Sequence, residues 1–135
     1  MSTLRVAIVS PERKIWSGEA EMVVAKGIDG DVGIMAGHAP MLIQLEIFSL
    51  RVIERLSPRS EEVVIVDGGF LNVTPGEDET RVDVLAEHAE LAREIDATAA
   101  RARAEELRRR VEQDGEVEVE TELAKALVRA EHGTR

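Results

Sequence analysis

Apolar residues along the first 85 positions fall in short runs that alternate or stay apolar for four to eight residues. These are Leu4–Val9, Ala20–Ala25, Val32–Met35, Met41–Leu45, Phe48–Arg55, Glu62–Val66, Phe70–Val73 and Arg81–Leu85. Turn residues separate them: Ser10-Pro11-Glu12, Ser17-Gly18, Gly27 to Asp31, Gly37 to Pro40, Ser57-Pro58-Arg59, Asp67-Gly68-Gly69 and Pro75-Gly76. Closely spaced short strands with turn signals predict a β-sandwich or barrel. After Leu85 the period lengthens. Ala89, Ala92, Ile95, Ala99 and Ala102 recur at three- and four-residue steps and would share one helix face, with Ala100, Ala104, Leu107 and Val111 as a second, rotated stripe. The pattern predicts one helix from about Glu87 to Val111, a turn at Gln113-Asp114-Gly115, and a second helix from about Val117 to Glu131 with Leu123, Ala124, Leu127 and Val128 on one face.

Composition sharpens this division. All 4 Pro lie before Leu85, and only Gly115 and Gly133 of the 10 Gly lie after it. β-branched residues dominate the first part, and Ala, Glu, Arg and Leu the second. The fold class expected is β + α: an N-terminal sandwich over residues 1–86 and an antiparallel two-helix hairpin over 87–135. The facing residues of the hairpin are small. At about 25 cal/mol per Å² an alanine-rich seam is a weak clasp, so the hairpin is expected to be the part that opens or docks elsewhere.

Charge and residue counts exclude several functions. The 135 residues carry 27 Asp+Glu against 17 Lys+Arg, a net charge of −10, which argues against nucleic acid as a partner. With 0 Cys there is no thiolate chemistry and no cysteine-type zinc site. No apolar run approaches a membrane span, and no targeting segment is expected at the N-terminus. The glycine-rich stretch Gly27 to His38 lacks the Gly-Lys-Ser/Thr ending of a phosphate loop, and its aspartates repel phosphate. His38, His88 and His132 have no metal-ligand spacing, and no serine sits in a nucleophile context. No catalytic residue, metal or cofactor is expected. Arg101, Arg103, Arg108, Arg109 and Arg110 crowd the first helix. They suit ion pairs with Glu105 and Glu106, or docking to an acidic surface.

The stretch Gly30-Asp31-Val32-Gly33-Ile34-Met35-Ala36-Gly37-His38-Ala39-Pro40 resembles a motif of the epsilon subunits of F-type ATP synthases (delta in mitochondrial naming). Val9-Ser10-Pro11, Trp16-Ser17-Gly18, Gly68-Gly69-Phe70-Leu71-Asn72-Val73 and Val84-Leu85-Ala86-Glu87 agree in order. The resemblance implies a flattened sandwich of about ten strands with a C-terminal helical hairpin. It also implies a non-catalytic rotor role at the cytoplasmic face of the membrane, with the gamma subunit and the c ring as partners. Alpha and beta subunits would join them if the hairpin extends and inhibits ATP hydrolysis. It places Asp29, Gly30 and Asp31 in the loop near the c ring, and His38 at the same end, at the gamma or c contact. Some relatives bind ATP through Ile/Leu-Asp-x-x-Arg-Ala. Here Ile95, Asp96 and Ala100 match, but Ala99 replaces the arginine. Where the family often has Pro-Gly this chain has Ile47-Phe48, so that hairpin is expected to be built differently.

Overall fold

The computed structural model describes residues 3–27, 30–56, 58–114 and 117–132. They fall into two compact units, Met1–Glu90 and Leu91–Arg135. The first unit is built from seven strands: β1 (Thr3–Val9), β2 (Lys14–Ala20), β3 (Met22–Gly27), β4 (Gly30–Ile34), β5 (Met41–Leu56), β6 (Arg59–Pro75) and β7 (Glu79–Leu91). They join in one sheet of order β2-β1-β7-β6-β5-β3-β4. β1 runs parallel to β7, from Thr3 beside Glu79 to Val9 beside Leu85. The β1–β2, β3–β4, β3–β5 and β5–β6 pairs are antiparallel. Strand alternation decides what goes inside. Leu4, Val6 and Ile8 of β1 are buried, and so are Val82 and Val84 of β7 beside Val64, Val66, Leu71 and Val73 of β6. β2 packs on β5 although the two are not neighbours in the sheet. Glu21 N–H donates to the Ile53 carbonyl at 2.8 Å. The sheet therefore closes on itself as a sandwich, filled by aliphatic side chains.

The strands are fewer and longer than the sequence pattern suggests. Met41–Leu45 and Phe48–Arg55 are one strand, β5, of 16 residues, and Glu62–Val66 and Phe70–Val73 are one strand, β6, of 17 residues. β5 runs through positions 47 and 48, so there is no hairpin at that place. Asp67-Gly68-Gly69 is not a turn either. It lies inside β6, where Gly68 has φ 74° and Gly69 φ 108°. These two glycines admit a bend that other residues resist, so one long strand does the work of two short ones. A register shift between Ile53 and Arg55 marks a second irregularity, in β5.

The second unit starts with a 3-10 turn, Ala92–Glu94, followed by helices α1 (Ala97–Asp114) and α2 (Val117–His132). The predicted helix start at Glu87 is wrong by ten residues: Glu87–Leu91 are the end of β7. Ala, Glu and Leu gave that segment a helical signature, and pairing in the sheet overrides so weak a preference. Asp96 fixes the true start. Its Oδ1 accepts from the backbone N–H of Thr98 at 2.9 Å and of Ala99 at 3.1 Å, which makes it the N-cap.

The two helices pack on each other. Their seam is Ala104, Leu107 and Ala126, with Val111 and Leu123 against it. The second predicted stripe of α1 is thus the buried one, whereas Ala99 and Ala102 of the first stripe are exposed. Among the described residues of α2 Ala126 is buried, and Leu127, expected inside, is 41% exposed.

Candidate functional site: an open apolar groove and two loop ends of the sandwich

Among the described residues four large apolar side chains of the sandwich face solvent: Leu42 is 66%, Leu85 62%, Met35 50% and Phe70 48% exposed. Met35 stands apart, but the other three share one face. Phe70 and Leu85 line one groove together with Val9, Pro11 and Ala86. Leu42 sits on the same face, because β5 pairs Leu42 with Asn72 and Gln44 with Phe70, which places Leu42 diagonal to Phe70. Ser10 anchors the adjoining turn. Its N–H donates to the Arg13 carbonyl at 2.9 Å, and its Oγ reaches Glu12 Oε2 at 3.2 Å. A contiguous apolar patch rimmed by polar groups marks a surface for another protein. Sequence reading missed this groove. The signal was available in the Gly68-Gly69-Phe70 and Val84-Leu85 pieces, but strand alternation there reads simply as core.

Of the residues singled out near the β3–β4 turn, Asp29 lies outside the described residues. Gly30 and Asp31 open β4. Asp31 pairs with Lys26 and Gly30 with Gly27, and both Gly30 and Asp31 are exposed. His38 is not at that end. β4 runs from Gly30 to Ile34, and the chain then turns: His38 N–H donates to the Met35 carbonyl at 3.1 Å, and the ring Nδ1 lies 2.8 Å from the Ala39 carbonyl. Gly37 N–H donates to Thr80 Oγ1 at 2.8 Å, and Thr80 is fully buried at the start of β7. The Met35-Ala36 corner shares a depression with Thr3, Leu4, Glu21 and Glu54. Asp31 lies three residue steps before the end of β4, on the order of 10 Å at the rise of a strand, and His38 lies in the turn beyond that far end. Thr80→Val should cost about 1 kcal/mol and speed hydrogen exchange of the Gly37 amide, read by two-dimensional NMR.

The residues matched to the nucleotide motif lie at the start of α1. The Asp96 carboxylate is engaged by its cap bonds, the Asp96 carbonyl accepts from Ala100 N–H at 3.0 Å, and Ile95 and Ala100 are buried. The five arginines all lie exposed on α1. Arg108 pairs with Glu105 at 3.4 Å, as the spacing predicts, and Arg109 Nε donates to the Glu105 carbonyl at 3.4 Å. Glu106 turns to Arg103 at 3.5 Å rather than forward to Arg109 or Arg110. Such exposed pairs contribute little stability. Among the described residues no three His, Asp or Glu side chains converge in a way that could hold a metal ion, and no helix is long and apolar enough to cross a membrane.

A sandwich with an open apolar groove, followed by a charged helical hairpin, defines a class of assembly subunit. Residues 3–92 match the family model described as ATP synthase, Delta/Epsilon chain, beta-sandwich domain. The chain belongs to the ATP synthase delta/epsilon family. It is 39% identical to the ATP synthase epsilon chain of Thermobifida fusca over 127 residues, covering 94% of this chain and 90% of that one. It is 43% identical to the epsilon chain of Halorhodospira halophila over 136 residues, covering 94% and 89%. Its fold is similar to a chain in the cryo-EM structure of the Euglena gracilis mitochondrial ATP synthase (OSCP/F1/c-ring), with TM-score 0.70, 21% identity, and coverage of 94% of this chain and 76% of that one.

Proposed function

We propose that this chain is a non-catalytic central-stalk subunit of a proton-translocating F-type ATP synthase, peripheral at the cytoplasmic face of the membrane. In this reading the sandwich couples rotation of the c ring to ATP synthesis through the gamma subunit, and the hairpin restrains ATP hydrolysis. The carrying observation is the solvent-facing groove of Phe70 and Leu85 on a domain that matches the family from residue 3 to residue 92. An exposed apolar groove on the sandwich suits a protein seat, and gamma is the seat the family implies. Exposed Gly30 and Asp31 suit a contact with the c ring, and His38, at the other end of β4, suits a separate contact.

Support for the restraining arm comes from the hairpin itself. Among the described residues its seam has Ala104, Leu107 and Ala126 fully inside. Small side chains bury little area, so separating the helices costs little, and the exposed arginines of α1 would then meet acidic surfaces of the alpha and beta subunits. Adding the full chain to a catalytic head stripped of this subunit should lower the rate of ATP hydrolysis. A chain ending at Leu91, which keeps β7 whole, should bind equally well and leave the rate unchanged. Equal rates with both would remove the restraining role and leave the coupling role, and absence of binding by both would sink the whole reading.

A further inference from the structure

The outward position of Phe70 is built into β6. Val64 and Val66 are the deepest positions of that strand before its bend, and Leu71 and Val73 the deepest after it. Inward residues of one straight strand keep one parity, so inside and outside exchange between positions 66 and 71. Gly68 and Gly69 lie in that interval, at φ 74° and 108°. A slip of one residue turns every later side chain to the other face. Without it Phe70 would follow Val64 and Val66 inward. With it Phe70 stands in the groove with Leu85.

The same bend makes room for a charge. The Glu87 carboxylate lies against Gly68, where an added Cβ would meet Oε2 at 2.5 Å. Glu87 is exposed, and its carboxylate has no hydrogen-bond or ion-pair partner among the described residues. No other described residue lining the groove is charged. An occupant of the groove therefore strips water from two unlike surfaces. Covering Phe70 and Leu85 is favourable. Covering a lone carboxylate beside them is costly unless a cation replaces the lost water. The groove selects an occupant that is apolar over Phe70 and Leu85 and positively charged at Glu87.

We infer that Glu87 is a specificity-determining residue of this groove: it receives a lysine or arginine side chain of the gamma subunit, set beside the apolar side chain that packs on Phe70 and Leu85. The inference rests on the reading of the groove as the seat of gamma, and adds what that seat demands of its occupant.

Titration calorimetry of the full chain with purified gamma tests it. Glu87→Gln keeps the shape and removes the charge. At an exposed position it should leave the urea midpoint unchanged. It should weaken binding about 10-fold, the order of one charge-assisted hydrogen bond. Glu87→Lys, which sets cation against cation, should weaken it about 100-fold or more. The sign decides. With no cation opposite, Glu87→Gln would bind as tightly as the wild-type chain or tighter, because the lost hydration of the carboxylate no longer opposes docking. That result would overturn the inference. So would a Glu87→Lys chain that binds no worse than Glu87→Gln. Phe70→Ala keeps the two levels apart. Weakened binding there, with both Glu87 variants at wild-type affinity, would remove the role of Glu87 and keep the seat. Wild-type affinity in Phe70→Ala, or no binding by the wild-type chain, would remove the seat and the inference with it.

Discussion

Gly69→Ala is expected to destabilise the sandwich by about 3 kcal/mol or more, the largest loss among the glycines whose surroundings are described. Two costs combine. Gly69 sits at φ 108°, a conformation that L side chains rarely adopt, and strain there amounts to about 1–3 kcal/mol. A Cβ on Gly69 would also fall 2.9 Å from Ala86 Cα and on the Leu85 carbonyl. Those are backbone atoms of the neighbouring strand, so β7 must be pushed away from β6, and overpacking of this kind costs about 1–3 kcal/mol more. Gly68 is the control. Its φ is 74°, and a Cβ there would meet the Glu87 carboxylate, at 2.5 Å from Oε2. That group is the far end of a flexible side chain and can swing out to solvent. Gly68→Ala should therefore cost only about 1–2 kcal/mol, mostly from backbone strain. Urea unfolding followed by the fluorescence of Trp16 would read both, since Trp16 is the only Trp, the chain has no Tyr, and the indole lies over Gly18 in β2. Equal losses at the two glycines would show that the close approach of β6 to β7 is not what fixes Gly69.

Those glycines also show where sequence reading stops. Alternation finds most of the strands, because Leu4, Val6 and Ile8, or Val82 and Val84, point inward by strand geometry alone, but it misses β2 (Lys14–Ala20), inside which the expected turn Ser17-Gly18 lies. It could not tell that Asp67-Gly68-Gly69 bends a strand instead of ending one. Both uses of glycine rest on the same freedom of φ, and the distinction lies in the pairing of β5 with β6, a non-local fact. The start of α1 was misplaced for a related reason. From Glu87 to Ile95 helix propensity is real but small, and the sheet partners of β7 are distant in sequence. The signal that was legible, Asp96 as a capping residue two and three positions before Thr98 and Ala99, was read through a nucleotide motif instead. Burial in the hairpin divided two rival stripes of α1, since an alanine-rich helix has little hydrophobic contrast around its circumference. Of the site residues named from sequence, Gly30 and Asp31 are exposed at the start of β4. The separation of His38 from Asp31 needed the direction of β4, which the motif's continuity hides.

Leu85→Glu should weaken binding of the full chain to the gamma subunit by about 100-fold or more while leaving its fold intact. Leu85 is 62% exposed and shares its groove with Phe70, Val9 and Pro11. Substitution of so exposed a side chain should change stability by no more than about 0.5 kcal/mol. Within an interface the arithmetic reverses. A few buried apolar and aromatic anchors dominate binding, each contributing about 2 kcal/mol or more, and a carboxylate placed among them must lose its water without gaining a partner. Glu87 lines the same groove, so a second carboxylate would add repulsion rather than find a cation. Phe70→Ala separates lost contact from added charge: it should weaken binding by about 30-fold, the loss expected of one aromatic anchor. Titration calorimetry with purified gamma, alongside urea unfolding of each variant, distinguishes the cases. Wild-type affinity in both variants would exclude this groove as the seat and move attention to the loop ends at Asp31 and His38. Lost affinity with an unfolded variant would be discounted, and for that reason the exposed Leu85 is the better probe than any residue of the core behind it.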